Sequence, residues 1–95
     1  MFVVLLRFSE RKGKANQFME GHKEWLKRGF DDGVFLLAGS IKPGLGGAVL
    51  AYGVTAEELA TRVQQDPFVA EGVVTAEILD IAPSKTDPRL DFLLA

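Results

Sequence analysis

Residues 34–54 read VFLLAGSIKPGLGGAVLAYGV, two apolar runs separated by a break rich in glycine and proline. Residues 34–41 have the branched and aromatic make-up of a β-strand, and residues 48–54 have it again. Between them, Lys42-Pro43-Gly44-Leu45-Gly46-Gly47 is turn chemistry, so the two runs read as a hairpin. A glycine-rich loop can also cradle phosphate, but only where a helix N-terminus follows it. Here a strand follows, and the phosphate reading falls.

A hairpin in the middle of the chain makes the flanking segments decide the topology. Phe2–Phe8 is a short apolar run bounded by the polar segment 9–14, and it predicts a first strand. Over residues 13–32, Ala15, Phe18, Met19, Trp25, Leu26, Gly29 and Phe30 recur at helical spacing, and Asp31-Asp32-Gly33 supplies a stop. On the other side of the hairpin, Thr55 and Glu58 form a capping box for a second helix. That helix should run to Gln65 and bury Leu59, Ala60 and Val63. Asp66-Pro67-Phe68 opens a further helical turn ending near Gly72, and residues 73–81 form the last strand, closed by Pro83.

The order is β-α-β-β-α-β, an α+β ferredoxin-like pattern over residues 1–83. Residues 84–95 are a tail that begins polar and ends in Leu90, Phe92, Leu93 and Leu94. Alternation along the first strand sends Phe2, Val4, Leu6 and Phe8 to one face and Val3, Leu5 and Arg7 to the other. Both faces are mostly apolar, whereas helices cover only one. A second copy should bury the other face, giving a homodimer with sheets facing each other, and the apolar tail should pack on that partner.

Composition narrows the chemistry. The 95 residues are 47% hydrophobic and 25% charged, as in an ordinary globular domain. A net charge of −2 provides no basic stripe for nucleic acid. The one basic cluster, Arg11-Lys12-Gly13-Lys14, reads as a solvated turn. There is no cysteine and one histidine, which excludes thiolate catalysis and leaves no ligand set for zinc. The run at Phe2-Val3-Val4-Leu5-Leu6 is stopped by Arg7, too short for a membrane span and without the flanks of a targeting peptide, so the cytoplasm is the expected location.

The one histidine, His22, sits within the apolar stripe of the first helix. Leu there would bury more apolar surface without requiring a hydrogen-bond partner, and histidine is the side chain that exchanges a proton most readily near neutrality. The carboxylate expected to lie against it is Asp66. An aspartate bonded to one imidazole nitrogen fixes the tautomer and leaves the other nitrogen free to move a substrate proton. Each candidate also has a plain structural use. His22 could be a hydrogen-bonded core residue, and Asp66 before Pro67 is a helix cap. Ser40 could donate to a substrate or serve as a small packing residue. Arg7 could bind a substrate carboxylate or form a salt bridge at the strand end. Trp25, one turn from His22, lines the pocket or fills the core.

The histidine within Gly21-His22-Lys23-Glu24-Trp25-Leu26, the segment Leu37-Ala38-Gly39-Ser40, and Asp66-Pro67-Phe68-Val69-Ala70-Glu71-Gly72-Val73 together carry a resemblance. In order and spacing they are similar to the YCII-related (YciI-like) family of small dimeric α+β-barrel proteins, over roughly residues 1–82. The resemblance implies an active site pairing His22 with Asp66, and a reaction such as removal of chloride from a chlorinated hydroxyquinol-type ring. Related barrels isomerise lactones. Many members carry Gly-Pro where this chain has Gly39-Ser40, so the pocket wall differs there. The expectation is a cofactor-free enzyme moving protons on a small organic molecule, of isomerase, lyase or dehydrochlorinase type. Two alternatives stay open: a non-catalytic ligand-binding or accessory module, and a haem-handling or cofactor-free monooxygenase with His22 as an axial ligand.

Overall fold

A computed structural model describes residues 1–94 of the chain, so the final residue of the expected tail, Ala95, lies outside the described residues. Strand β1 spans Phe2–Phe8, helix α1 Ala15–Asp31, strand β2 Phe35–Ile41 and strand β3 Gly46–Ala51. Helix α2 spans Ala56–Gln64, the short helix α3 Pro67–Ala70 and strand β4 Val74–Asp80. The strands lie in the order β2-β3-β1-β4, with every neighbouring pair antiparallel. This is the ferredoxin-like α+β arrangement that the element order predicts.

One face of the sheet carries the core. Phe2, Val4 and Leu6 of β1, with Val49, Ala51, Phe35 and Val74 from the other strands, are buried against Trp25, Leu59, Val63 and Phe68 of the helices. The alternation in β1 is as expected, with Val3 and Leu5 half-buried and Arg7 exposed on the opposite, open face. Trp25 is held on its polar edge as well. Its indole N–H donates to the Arg62 carbonyl of α2 at 2.8 Å, and the Arg62 guanidinium reaches back to Asp32 at 2.8 Å. Helix α2 starts on the expected capping box. The Glu58 N–H donates to Thr55 Oγ1 at 3.1 Å and the Thr55 N–H to Glu58 Oε1 at 2.8 Å, an arrangement that stabilises a helix end by about 1 kcal/mol.

Several boundaries and burials differ from the sequence reading. A 3₁₀ turn at Lys12–Lys14 precedes α1, which therefore begins at Ala15. Phe30, assigned to the apolar stripe, is exposed, because the stripe's last turn narrows onto Gly29 where the Phe35 ring packs. Ala60, expected to be buried, faces solvent; Leu59 and Val63 alone carry the buried side of α2. Strand β3 stops at Ala51 because Gly53 turns the chain with a φ of +77°.

The most consequential difference is a bulge in β2. Phe35 pairs with Ala51 and Leu37 with Leu50, so one residue of β3 is matched by two of β2. Beyond that point the alternation is reversed. Ala38 and Ser40 pair with Val49 and Gly47 and share the helix-covered face with Phe35, while Leu37 turns to the open face. The tail forms a 3₁₀ segment over Pro88–Leu94, with the Phe92 ring edge-on to Tyr52 at 5.1 Å and with Leu90 and Leu94 exposed.

Candidate active site

Ala38, Ser40 and Gly47 bring short side chains, or none, to the end of the sheet beneath the first half of α1. Too little volume reaches across to fill the gap, and a cleft of about 350 Å³ opens there. Phe8, Met19, Leu26 and Phe68 give it apolar walls, and His22, Lys23 and Ser40 give it polar ones. A small-molecule site of this size, mostly apolar with a few placed polar groups, is the usual form of a ligand pocket.

His22 reaches the cleft from α1, and Asp66 stands behind it. The imidazole Nδ1 lies 2.9 Å from Asp66 Oδ1 and 3.1 Å from Oδ2. The aspartate is fully buried, at 0% exposure, while the histidine side chain is 15% exposed. A buried carboxylate needs partners for its lone pairs, and Asp66 has two kinds. Oδ1 accepts the Phe68 N–H at 3.0 Å, capping α3 with Pro67 in its first turn, and the imidazole supplies the other bond.

The ring plane is fixed independently. His22 lies flat on Phe68, with centroids 4.1 Å apart and planes within 4°, and Trp25 stacks more loosely at 5.9 Å. Among the described residues Nε2 has no hydrogen-bond partner, yet no buried side-chain nitrogen or oxygen is left unpaired. Nε2 is therefore not sealed in the core, and His22 is one of the residues that line the cleft. An imidazole anchored through Nδ1 and open at Nε2 can accept a proton from a bound molecule and return it.

The other sequence-predicted residues divide. Ser40 stands on the cleft wall, brought to that side by the β2 bulge. Arg7 does not reach the site: it is on the open face, in an ion pair with Glu77 at 2.7 Å. Trp25 is a core residue, 1% exposed, behind His22 and away from the cleft lining. The sequence reading missed Phe68 as the ring beneath His22, and Lys23 as a lining residue. Both stood inside the segments that carried the family resemblance, so the residues were in view and their contacts were not. Among the described residues, no three His, Cys, Asp or Glu side chains gather as a metal site, and no helix is long and apolar enough to cross a membrane.

No family model matches the sequence, and no curated protein matches it. Its fold, however, is similar to a solved structure, the 5-chloro-2-hydroxyhydroquinone dehydrochlorinase of Burkholderia phenoliruptrix AC1100 in complex with 2,5-dihydroxybenzoquinone. The match has a TM-score of 0.68 and covers 85% of this chain and 93% of that one, at 14% sequence identity. At that identity the likeness is one of fold: the chain has the α+β architecture on which that dehydrochlorinase is built.

Proposed function

We propose that this chain is a small-molecule acid–base enzyme in which His22 moves the proton and Asp66 orients it. The observation that carries the reading is the Nδ1 contact to a fully buried carboxylate, at 2.9 Å, on a histidine that lines an apolar cleft. Asp66 accepts the Nδ1 proton, which leaves the Nε2 lone pair toward the bound molecule. Nε2 removes a proton from carbon or oxygen, and the resulting imidazolium is held by the carboxylate. For an elimination, the electrons of the broken C–H bond form the new double bond as the leaving anion departs with its own pair. For an isomerisation, Nε2 returns the same proton to a different atom. Fold likeness to a dehydrochlorinase agrees with the first of these.

The same proposal takes the working form to be a homodimer joined through the open sheet faces. Val3, Leu5 and Leu50 lie half-buried there, with Leu37 and Leu79 exposed beside them, an apolar surface that a second copy would cover. The exposed Leu90 and Leu94 of the tail would extend that interface.

A second reading has its own support. Asp66 caps α3 and the His22 ring packs on Phe68, so both residues have structural uses in a module that binds a ligand without transforming it. His22→Gln separates the two. A catalytic His22 gives a variant that folds and dimerises with stability within about 1–2 kcal/mol of the parent. On chlorinated hydroquinones or lactones that the parent turns over, it should be slower by about 10²–10⁴-fold. A variant that melts early while binding 2,5-dihydroxybenzoquinone like the parent would overturn the enzymatic reading.

A further inference from the structure

We infer that the cleft selects a single-ring ligand carrying a negative charge, and that Lys23 is the residue that reads that charge. The inference rests on the cleft being the ligand site and adds the class of molecule it takes. No acidic residue lines the cleft, and Lys23 is the one lysine or arginine among its lining. The nearby carboxylate, Asp66, is fully buried and committed to His22 and the Phe68 amide, so it offers no free oxygen to a ligand and its charge is set against the imidazole.

A second cation stands at the same end. Lys12 Nζ lies 5.4 Å from the centroid of Phe8, whose ring is a cleft wall. The basic turn that reads as merely solvated in the sequence is thus placed beside the cleft. Neither lysine is spent elsewhere: among the described residues no ion pair engages Lys12 or Lys23, whereas Lys27, one turn further along α1, is tied to Asp31 at 2.7 Å. Lys23 stands on the border between the cleft and an outer depression that Glu20 and Glu24 also line, and neither glutamate lines the cleft. A volume of about 350 Å³ between aromatic and aliphatic walls suits one substituted ring. A carboxylate, phenolate or enolate on that ring would meet Lys23 beside the His22 imidazole. A dication or a neutral amide would meet no matching charge.

The test compares benzoate with benzamide, which have nearly the same shape and differ in charge. Both are titrated into the full chain while the His22 ring and the Ser40 amide are followed by NMR. Benzoate should shift both signals and bind roughly three- to tenfold tighter than benzamide, with a preference that weakens as salt is raised. Lys23→Gln should abolish most of that preference by weakening benzoate far more than benzamide, and Lys12→Gln should reduce it less. Equal binding of the two compounds, or a preference that survives in Lys23→Gln, overturns the charge assignment while leaving the cleft as the site. If neither compound moves the His22 and Ser40 signals, the site itself is wrong and the inference falls with it.

Discussion

Gly21 makes room for Pro67. A Cβ at position 21 would stand 2.9 Å from Pro67 Cγ, closer than real contacts allow, so helix α1 and the start of α3 approach as near as a glycine permits. The next residue on α1 is His22, and the residue before Pro67 is Asp66. This one close contact therefore sets the reach between the two. Gly21→Ala should gain up to about 1 kcal/mol of helix propensity, offset by displacement of Pro67. The protein should stay folded, while the imidazole ¹⁵N signals and the Nδ1 proton signal move as the His22–Asp66 contact lengthens. Unchanged ring signals would show that α3 absorbs the methyl group without disturbing the pair.

How much of this was legible beforehand follows from what each residue signals locally. His22 was visible because a polar ring interrupts an apolar stripe, and Asp66 because Asp-Pro is cap chemistry. Their separation of 44 residues carries no spacing rule, so the pairing came from the family resemblance and not from periodicity. Ser40 illustrates the opposite limit. Strict alternation from Phe35 would put it on the open face, and only the bulge at Leu36 returns it to the cleft. A one-residue bulge leaves no mark in composition. Arg7 was readable as a lone charge on an apolar strand face, but whether it meets a ligand or Glu77 depends on register with β4, which is a tertiary fact.

Gly29 should be the least replaceable glycine in α1. Any Cβ there runs into the Phe35 ring, which itself packs edge-on to Trp25 at 5.0 Å. Gly29→Ala should destabilise the domain by about 2 kcal/mol despite its better helix propensity, because the aromatic pair beneath it must shift. Urea unfolding reads the change directly, and a variant as stable as the parent would mean the Phe35 ring has space to retreat.

Glu58 should give part of the protein's acid sensitivity. The bond from the Thr55 backbone N–H, and then the Thr55 side chain, hold its carboxyl below the usual glutamate value. A lowered folded-state value contributes stability that is present above the unfolded value and is lost as pH falls through the folded one. Glu58→Gln keeps the capping geometry without titrating. The parent should therefore lose melting temperature relative to the variant as pH drops through and below the carboxylate range, with a constant difference around neutrality. A difference that does not change with pH would remove Glu58 from the acid response.

The open face can be tested by charge. Leu50 stands on the second of two central strands, directly opposite Val3, and is half-buried in the isolated chain. Leu50→Arg can send its guanidinium to solvent in a monomer, but would bury it in a face-to-face dimer at a cost of several kcal/mol. Sedimentation should find the parent as a dimer at micromolar concentration and the variant as a monomer with the same circular dichroism. A monomeric parent would rule out the sheet-face assembly.

Asp66 serves two purposes, and asparagine separates them. As an N-cap, Asn is about as good as Asp, because its amide oxygen can still accept the Phe68 N–H, so Asp66→Asn should cost no more than about 1 kcal/mol. As the partner of His22 it is a poor replacement. With its oxygen on the Phe68 amide, the Asn side chain presents N–H to Nδ1, which must then accept, and the imidazole proton moves to Nε2. The nitrogen facing the cleft would then hold a proton where the proposed mechanism needs a lone pair. Imidazole ¹⁵N shifts should report the exchanged tautomer, and kcat should fall by about 10²-fold or more with KM little changed. Asp66→Ala provides the contrast, since it removes both the cap and the buried acceptor and should lose stability as well as rate. If Asp66→Asn exchanges the tautomer and still turns substrate over at the parent's rate, His22 is not the base.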